Sequence, residues 1–232
     1  MFPLKDNIPA RVFPVVNIAL IVANLLFFIY VFSKGDMAEH FLGQHGFVPA
    51  RFLASANFLF VPGQVLSVFS SMFLHGSIMH LFGNMWMLWI FGDNVEDAMG
   101  HGRYLLFYLL CGVASVMAQT VAAPVSLVPM VGASGAISGV LGAYFCLYPR
   151  ARILTLLPLL IIFYIVEIPA YFFLGFWFLL QFIQGWVQVA GEAAATAGVA
   201  WWAHVGGFGA GVLLIRFFRN NSTRTLGKRL QL

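Results

Sequence analysis

Four side chains of the kinds that carry out acyl transfer sit in stretches otherwise free of charge: Ser134, His204, His80 and Asn84. Ser134 lies in Gly132-Ala133-Ser134-Gly135-Ala136-Ile137-Ser138-Gly139, and His204 in Ala203-His204-Val205-Gly206-Gly207-Phe208-Gly209-Ala210-Gly211. A serine hydroxyl is a weak nucleophile until a neighbouring base takes its proton, and imidazole is well suited to that role. The reaction also needs donors aimed at the oxygen that becomes an anion, and histidine and asparagine side chains carry such N–H groups. Ser134 opens a helical stretch, where unpaired N–H groups and the helix dipole favour negative charge. Gly132 and Gly135 flank it and would leave room for a substrate backbone. These residues form a site only if three separate segments bring them to one place.

The segments that must do so read as apolar helices. Of 232 residues, 61% are hydrophobic and 9% charged, against about 45–50% and about 25% in a soluble domain. So few charges cannot cover a soluble globule, and so high an apolar fraction excludes disorder. No Asp, Glu, Lys or Arg occurs in 12–33, 52–92, 104–149, 168–191 or 193–215. About 20 apolar residues cross the hydrocarbon core as a helix. Runs 12–33, 168–191 and 193–215 each fit one span, and run 104–149 divides at Pro124 and Pro129 into two. Run 52–92 carries Asn57, Pro62, Gly63 and Gln64 early, and reads as a partly interfacial loop followed by one span.

The expected fold is therefore all-α, a polytopic membrane bundle of six transmembrane helices over about 12–32, 76–92, 103–122, 133–149, 168–187 and 199–217. One membrane domain covers 1–218, and a basic tail covers 219–232. Residues 153–166 are apolar but short and contain Pro158; they are expected to lie in the interface or to form a re-entrant piece before the fifth span. The first span is too long for a signal-peptide core and has no small-residue cleavage site, so it is expected to stay.

Lys and Arg set the orientation. With six spans, Lys5, Arg11, Arg103, Arg150, Arg152, Arg216, Arg219, Arg224, Lys228 and Arg229 fall on one side, and Lys34 and Arg51 on the other. The positive-inside rule then puts both termini in the cytoplasm. The net charge of +4 is mostly the tail, which can rest on anionic lipid and requires no nucleic acid. Spans two, four and six run inward, and each carries its polar residues in its first turns. At about 1.5 Å per residue these lie roughly 5–15 Å below the outer surface. His80 and Asn84 are four apart and share a helix face. Ser134, Ser138 and Gly142 make a small-residue face on span four, and His204, Gly207 and Gly211 one on span six. Such faces let backbones close up in lipid. If spans four and six pack through them, Ser134 and His204 come within hydrogen-bond reach.

Each residue taken singly has a plainer reading. Ser134 can be a helix cap, His204 an interfacial histidine, Asn84 a hydrogen-bonding link between helices, and His75 a tie for the first external loop. Asp93, Glu96, Asp97 and His101 read as a solvated cytoplasmic turn. The convergence of Ser, His, His and Asn at one depth on three helices is what points to a site, because polar groups inside spans are costly. A transporter would continue its polar residues to the inner face, whereas the inner halves of these spans are apolar or glycine. Metal or haem binding through His75, His80 and His204 lacks a ligand spacing: His75 and His80 are five apart, on different helix faces, and no HExxH occurs. Cys111 and Cys146 lie in apolar runs and form neither a disulfide scaffold nor a metal motif. No cofactor and no metal are expected.

The motifs resemble those of the rhomboid intramembrane serine proteases. The resemblance rests on Phe73-Leu74-His75-Gly76-Ser77-Ile78-Met79-His80-Leu81-Phe82-Gly83-Asn84-Met85, on Gly132-Ala133-Ser134-Gly135, and on Ala203-His204 with Gly207 and Gly211, in family order from about Phe69 to Gly211. It implies a Ser134 nucleophile, a His204 general base in a dyad without a carboxylate, and an oxyanion hole of His80, Asn84 and the Ser134 backbone N–H. His75, Gly132, Gly135, Ser138, Gly207 and Gly211 would support that site. The implied substrates are single-span transmembrane proteins, cut near the outer end of their membrane segment, with helix-breaking residues nearby and a small residue before the cut. The family's partly embedded first loop would be 33–75, and its lateral gate about 168–186. The 187–198 loop would be a cap, with Gly191, Gly198 and the Ala193–Ala195 run allowing motion.

Two positions depart from the pattern. Ser138 stands where many members carry a Tyr stacked on the histidine, so His204 needs another orienting group, with Trp201 or Trp202 as neighbours. Leu66 and Ser67 stand where many carry a Trp-Arg pair. The implied setting is the minimal six-span form in a prokaryotic plasma membrane. The alternative is a catalytically silent relative that binds membrane proteins; such relatives usually lack the serine or the histidine, and both are present here.

Overall fold

The structure, a computed structural model, describes residues 1–54, 62–159, 162–190 and 199–220. Its elements in chain order are β1 (Phe2–Asp6), α1 (Val15–Phe32), α2 (Ala38–His45), α3 (Pro49–Ala54), α4 (Pro62–Ser70), α5 (Ile78–Met99), α6 (His101–Ala122), α7 (Ser134–Leu147), β2 (Arg152–Leu159), β3 (Ile162–Pro169), α8 (Ala170–Ala190) and α9 (Trp201–Phe218). Helices α1, α5, α6, α7, α8 and α9 occupy the six expected apolar segments. Among the described residues α1, α6 and α8 are each long and apolar enough to cross a membrane, and α4 with the turn after it qualifies together with α5 as a pair bent by 78°. Helix α7 has only 14 residues. The 18 residues of α9 are diluted by glycines, His204 and Arg216. The described residues of the loop expected over 33–75 include the short helices α2, α3 and α4.

Helix α7 is the centre of the bundle, with every residue from Gly135 to Tyr144 buried. The small-residue faces explain how. A Cβ on Gly207 would stand 2.0 Å from the Gly135 carbonyl oxygen, and one on Gly211 2.0 Å from that of Gly139. A Cβ on Gly142 would stand 2.3 Å from the Phe208 oxygen. The backbones of α7 and α9 therefore touch, as two helices can when small residues recur every four positions. Gly206 brings α9 equally close to Ala118 on α6. Around this seam Leu88, Phe91, Tyr104, Phe107 and Tyr108 fill the core.

Two expectations change. The described residues of 153–166 belong to the antiparallel strands β2 and β3, and β1 pairs antiparallel with β2 to complete a sheet ordered β1-β2-β3. The Ile residues of 153–166 with Thr155, Phe163, Tyr164 and Val166 suit a pleated surface, although Leu is the commonest residue there. A lone hairpin is marginal, and the N-terminal residues supply the third strand. The all-α class thus holds for the bundle but not for this sheet. The acidic stretch after Gly92 is not a solvated turn either. Helix α5 continues through it to Met99, where Gly100, at φ +84°, lets α6 start at once. Glu96 is 1% exposed and accepts the N–H groups of Val16 (2.9 Å) and Asn17 (2.7 Å), besides contacting His101. A carboxylate there satisfies donors that the first turn of α1 cannot satisfy itself.

Candidate active site

Ser134 is the first residue of α7, and His204 lies in the first turn of α9. The α7–α9 seam sets their separation: Ser134 Oγ and His204 Nε2 are 2.8 Å apart. The other ring nitrogen, Nδ1, is 2.7 Å from Gln181 Oε1 on α8. An amide oxygen only accepts, so this contact is a hydrogen bond in the tautomer protonated on Nδ1, the one that leaves Nε2 to accept from the serine hydroxyl. The side chain within hydrogen-bond reach of Nδ1 is thus Gln181 rather than a tryptophan. The Trp201 ring stands edge-on to His204 at 6.1 Å, and that of Trp177 lies tilted at the same distance. Trp202 turns away, its indole N–H donating to the Gly185 carbonyl at 3.0 Å. Ser138, in the position of the missing Tyr, is buried and donates to the Ser134 carbonyl at 2.6 Å.

His80 and Asn84 reach the same place from α5, whose start is fixed by the Ser77 side chain accepting the His80 backbone N–H at 3.2 Å. Gly132, at φ +130°, packs against the His80 ring, where a Cβ would fall 2.6 Å from Cε1. This strained close approach admits only glycine. Gly135 does not leave room for substrate: a Cβ there would lie 2.2 Å from Ser115 Oγ, so it serves helix packing. His75 is buried beneath, and its Nε2 accepts one Asn84 amide N–H at 2.9 Å. The second Asn84 N–H is left for another acceptor. Although five residues apart, the His75 and His80 rings meet edge to face at 5.0 Å, because His75 precedes the helix. As the first residue of α7, Ser134 has a backbone N–H with no acceptor within its own helix.

Ser134, His204, Gln181, His80, Asn84 and Gly132 line a cavity of about 690 Å³. Met79, Gly83 and Met87 of α5, Trp177, Gln181 and Gln188 of α8, and Trp201 of α9 are among the residues that line it. Such a site can hold an extended backbone, deliver a deprotonated serine to a carbonyl and surround the resulting oxyanion with N–H donors. Two residues were missed in the sequence reading. Gln181 is a polar residue inside the apolar run 168–191, the same signal that singled out His80 and Asn84. Gln119 on α6 is buried, and its side-chain oxygen accepts the Ala203 N–H at 3.2 Å, fixing the start of α9 beside His204. Of the expected cap, residues 187–190 belong to α8, whereas Gly191, Ala193–Ala195 and Gly198 lie outside the described residues, as does the tail beyond Asn220.

The chain is 48% identical over 56 residues, 24% of its length and 10% of the relative's, to the rhomboid protease GluP of Bacillus subtilis. It is 29% identical over 148 residues, 62% of its length and 39% of the relative's, to the mitochondrial Rhomboid protein 1 of Saccharomyces cerevisiae. The alignments thus span less than half of either curated relative. Residues 62–221 match the Rhomboid domain, a stretch that takes in every helix from α4 to α9 and each residue lining the junction of Ser134 with His204, and by that match the chain belongs to the rhomboid family of integral membrane proteins.

Proposed function

We propose that the protein is an intramembrane serine endopeptidase that cuts single-span membrane proteins near the outer end of their transmembrane segment. The observation that carries this reading is the 2.8 Å contact between Ser134 Oγ and His204 Nε2 within a rhomboid domain, facing a cavity with spare N–H donors. His204 Nε2 takes the hydroxyl proton as Ser134 Oγ bonds to the scissile carbonyl carbon. The oxyanion is held by His80, the second Asn84 N–H and the Ser134 backbone N–H. His204 then gives its proton to the leaving amine as the C–N bond breaks. A water molecule next attacks the acyl-enzyme, returns a proton through His204 and frees Ser134.

The topology belongs to this proposal. Helices α1, α5, α6, α7, α8 and α9 are the six spans, with both termini cytoplasmic. The 14 residues of α7 extend about 21 Å, against a hydrocarbon core of about 30 Å. Its first residue, Ser134, therefore lies below the outer surface, and the cavity is the route by which water reaches it. A substrate helix has its carbonyls bonded internally, so it must unwind before one enters the site. Helix-breaking residues and a small residue before the cut lower that cost. The setting proposed is a prokaryotic plasma membrane, with the passage between α5 and α8 as the substrate's way in.

The test is cleavage of a single-span model substrate in liposomes by wild type, Ser134→Ala and His204→Ala, with the cut mapped by mass. Cleavage near the outer boundary that falls by about 10³-fold or more in both variants supports the dyad. No cleavage by wild type, together with no fluorophosphonate labelling of Ser134, overturns it in favour of a membrane-protein binding factor.

A further inference from the structure

We infer that Gln181 is a positioning residue of this reaction, fixing the tautomer of His204 from the neighbouring helix α8; the inference rests on the protease reading above. A neutral imidazole carries its proton on one nitrogen or the other, and which one is set by the hydrogen bond the ring makes. Only with the proton on Nδ1 can Nε2 take the proton of Ser134. The Gln181 oxygen, 2.7 Å from Nδ1, selects that form. The aromatic neighbours cannot: Trp177 and Trp201 flank the ring, and an indole N–H donates but does not accept. Ser138, one turn into α7, spends its hydroxyl on the Ser134 carbonyl.

Gln181 is itself held in place. It is 8% exposed and lies one turn before Gly185, whose carbonyl accepts the Trp202 indole N–H at 3.0 Å. A Cβ on Gly185 would lie 3.2 Å from that indole, so α8 seats closely against α9 at this level. Trp202 thus locks α8 two residues before His204, and Gln181 reaches the ring from the locked turn.

An amide suits the location. In a soluble triad a carboxylate orients the histidine, but an ionised carboxylate within the membrane is costly. A glutamine oxygen accepts the same N–H and stabilises the transient imidazolium through its dipole, with no charge to desolvate. Because Gln181 rides on α8, tilting that helix away from α9 removes the orienting bond. Competence of the base is thereby linked to the position of one wall of the cavity.

The experiment compares wild type, Gln181→Met and Gln181→Glu in liposomes. Methionine keeps the length and removes the acceptor; glutamate keeps the acceptor. Gln181→Met is expected to lose about 10- to 100-fold in kcat with KM within about twofold, and Gln181→Glu to recover most of that loss. A packing role alone would reverse the order, since methionine fits an apolar wall better than glutamate does. Thermal unfolding followed by tryptophan fluorescence identifies a variant that does not fold. A readout independent of activity is nitrogen-15 NMR of ring-labelled histidines, with His204 assigned by the signal lost in His204→Ala. In wild type Nδ1 is expected to be protonated, and in Gln181→Met the two tautomers should mix. An Nε2-protonated His204 in wild type, or unchanged kcat and tautomer in Gln181→Met, overturns the inference. If Nδ1 is protonated in wild type and the tautomers mix in Gln181→Met, yet wild type cleaves nothing, the protease reading fails while control of the His204 tautomer by Gln181 stands.

Discussion

Where α7 begins, Ser134 meets His204 through one hydrogen bond beside a cavity of about 690 Å³, and N–H groups of Asn84 and Ser134 are left over. Where α7 ends, Tyr144 donates to Asp6, which also accepts from Asn94 at 2.9 Å. Around them the Trp86 indole donates to the Pro3 carbonyl at 2.7 Å, and Glu96 receives two N–H groups from the start of α1. One end keeps spare donors and open space; the other pairs most of its polar groups with one another, the buried Asn94 Oδ1 excepted, and ties strand, hairpin and helices together. Buried polar groups that are fully paired rigidify a fold, whereas unpaired donors facing a cavity are available to a ligand. Substitutions at the sheet end should therefore lower stability and spare kcat, and those at the Ser134 end should do the reverse, with the glycine seam between them affecting both.

The sharpest test of that division is Glu96→Gln. The amide oxygen can accept from only one of the Val16 and Asn17 N–H groups and turns an NH₂ group against the other. Removing the charge of a buried, multiply bonded carboxylate is expected to cost about 3 kcal/mol. Unfolding in mixed micelles measures this, and specific activity normalised to the folded fraction should stay within about twofold. A large fall in kcat at unchanged stability would break the comparison. Gly207→Ala comes next. Its new methyl would fall 2.0 Å from the Gly135 oxygen, an atom of the backbone that cannot swing aside. The helices must part, at about 1–3 kcal/mol of stability, and the dyad parts with them. A displacement of about 1 Å at reacting groups costs on the order of 10²-fold in kcat/KM. The same substitution at Gly209, where a Cβ meets nothing within 4 Å, should leave both quantities unchanged.

Asp6 makes the sheet end sensitive to pH. Burial pushes its carboxyl from the ordinary 3.8 up to about 6, against the opposing effect of the Tyr144 hydroxyl. The folded state then holds the proton more tightly than the unfolded chain. Its contribution to stability is complete below about pH 3.8 and is lost as the pH rises through about 6. A shift of this size corresponds to about 3 kcal/mol, reduced by solvent screening of a partly buried group to about 1–2 kcal/mol. The difference in unfolding free energy between wild type and Asp6→Asn, measured from pH 4 to 7, should fall by that amount. A flat difference would mean that Asp6 is solvated and the network looser than its bonds suggest.

What could be read without coordinates divides along similar lines. His80, Asn84, Ser134 and His204 stand out because a polar residue in an apolar run must have a reason to be there. The seam is legible because glycines four apart mark a face. Gln181 carried the same signal, but it sits on the helix read as a gate, and only its distance to Nδ1 reveals its use. The hairpin was not legible. A short apolar run reads alike as strand or helix, and its partner strand pairs across most of the chain, Phe2 with Leu156. Glu96 misled for a related reason. An acidic residue near a helix end normally reads as solvated, and nothing local says that the start of α1 lies against it.

The smallest effect is expected at Ser138, and it bears on how sparse the Ser134 end is. Its hydroxyl lies 2.6 Å from the Ser134 carbonyl, an oxygen that the helix already supplies with a backbone N–H. Such back-bonds within a helix contribute little and tend to bend it. Ser138→Ala should change stability by less than about 0.5 kcal/mol and kcat by no more than about twofold. Tyrosine at this position is a different matter. Ser138 is 1% exposed, and its Cβ lies 3.3 Å from where a Cβ on Gly207 would stand, so a ring there would push α9 off α7. The absent Tyr and the close seam are thus two sides of one packing choice, which leaves the histidine to be oriented from α8. A tenfold loss in Ser138→Ala would instead place its hydroxyl in the reaction, and the Ser134 end would prove as networked as the sheet end.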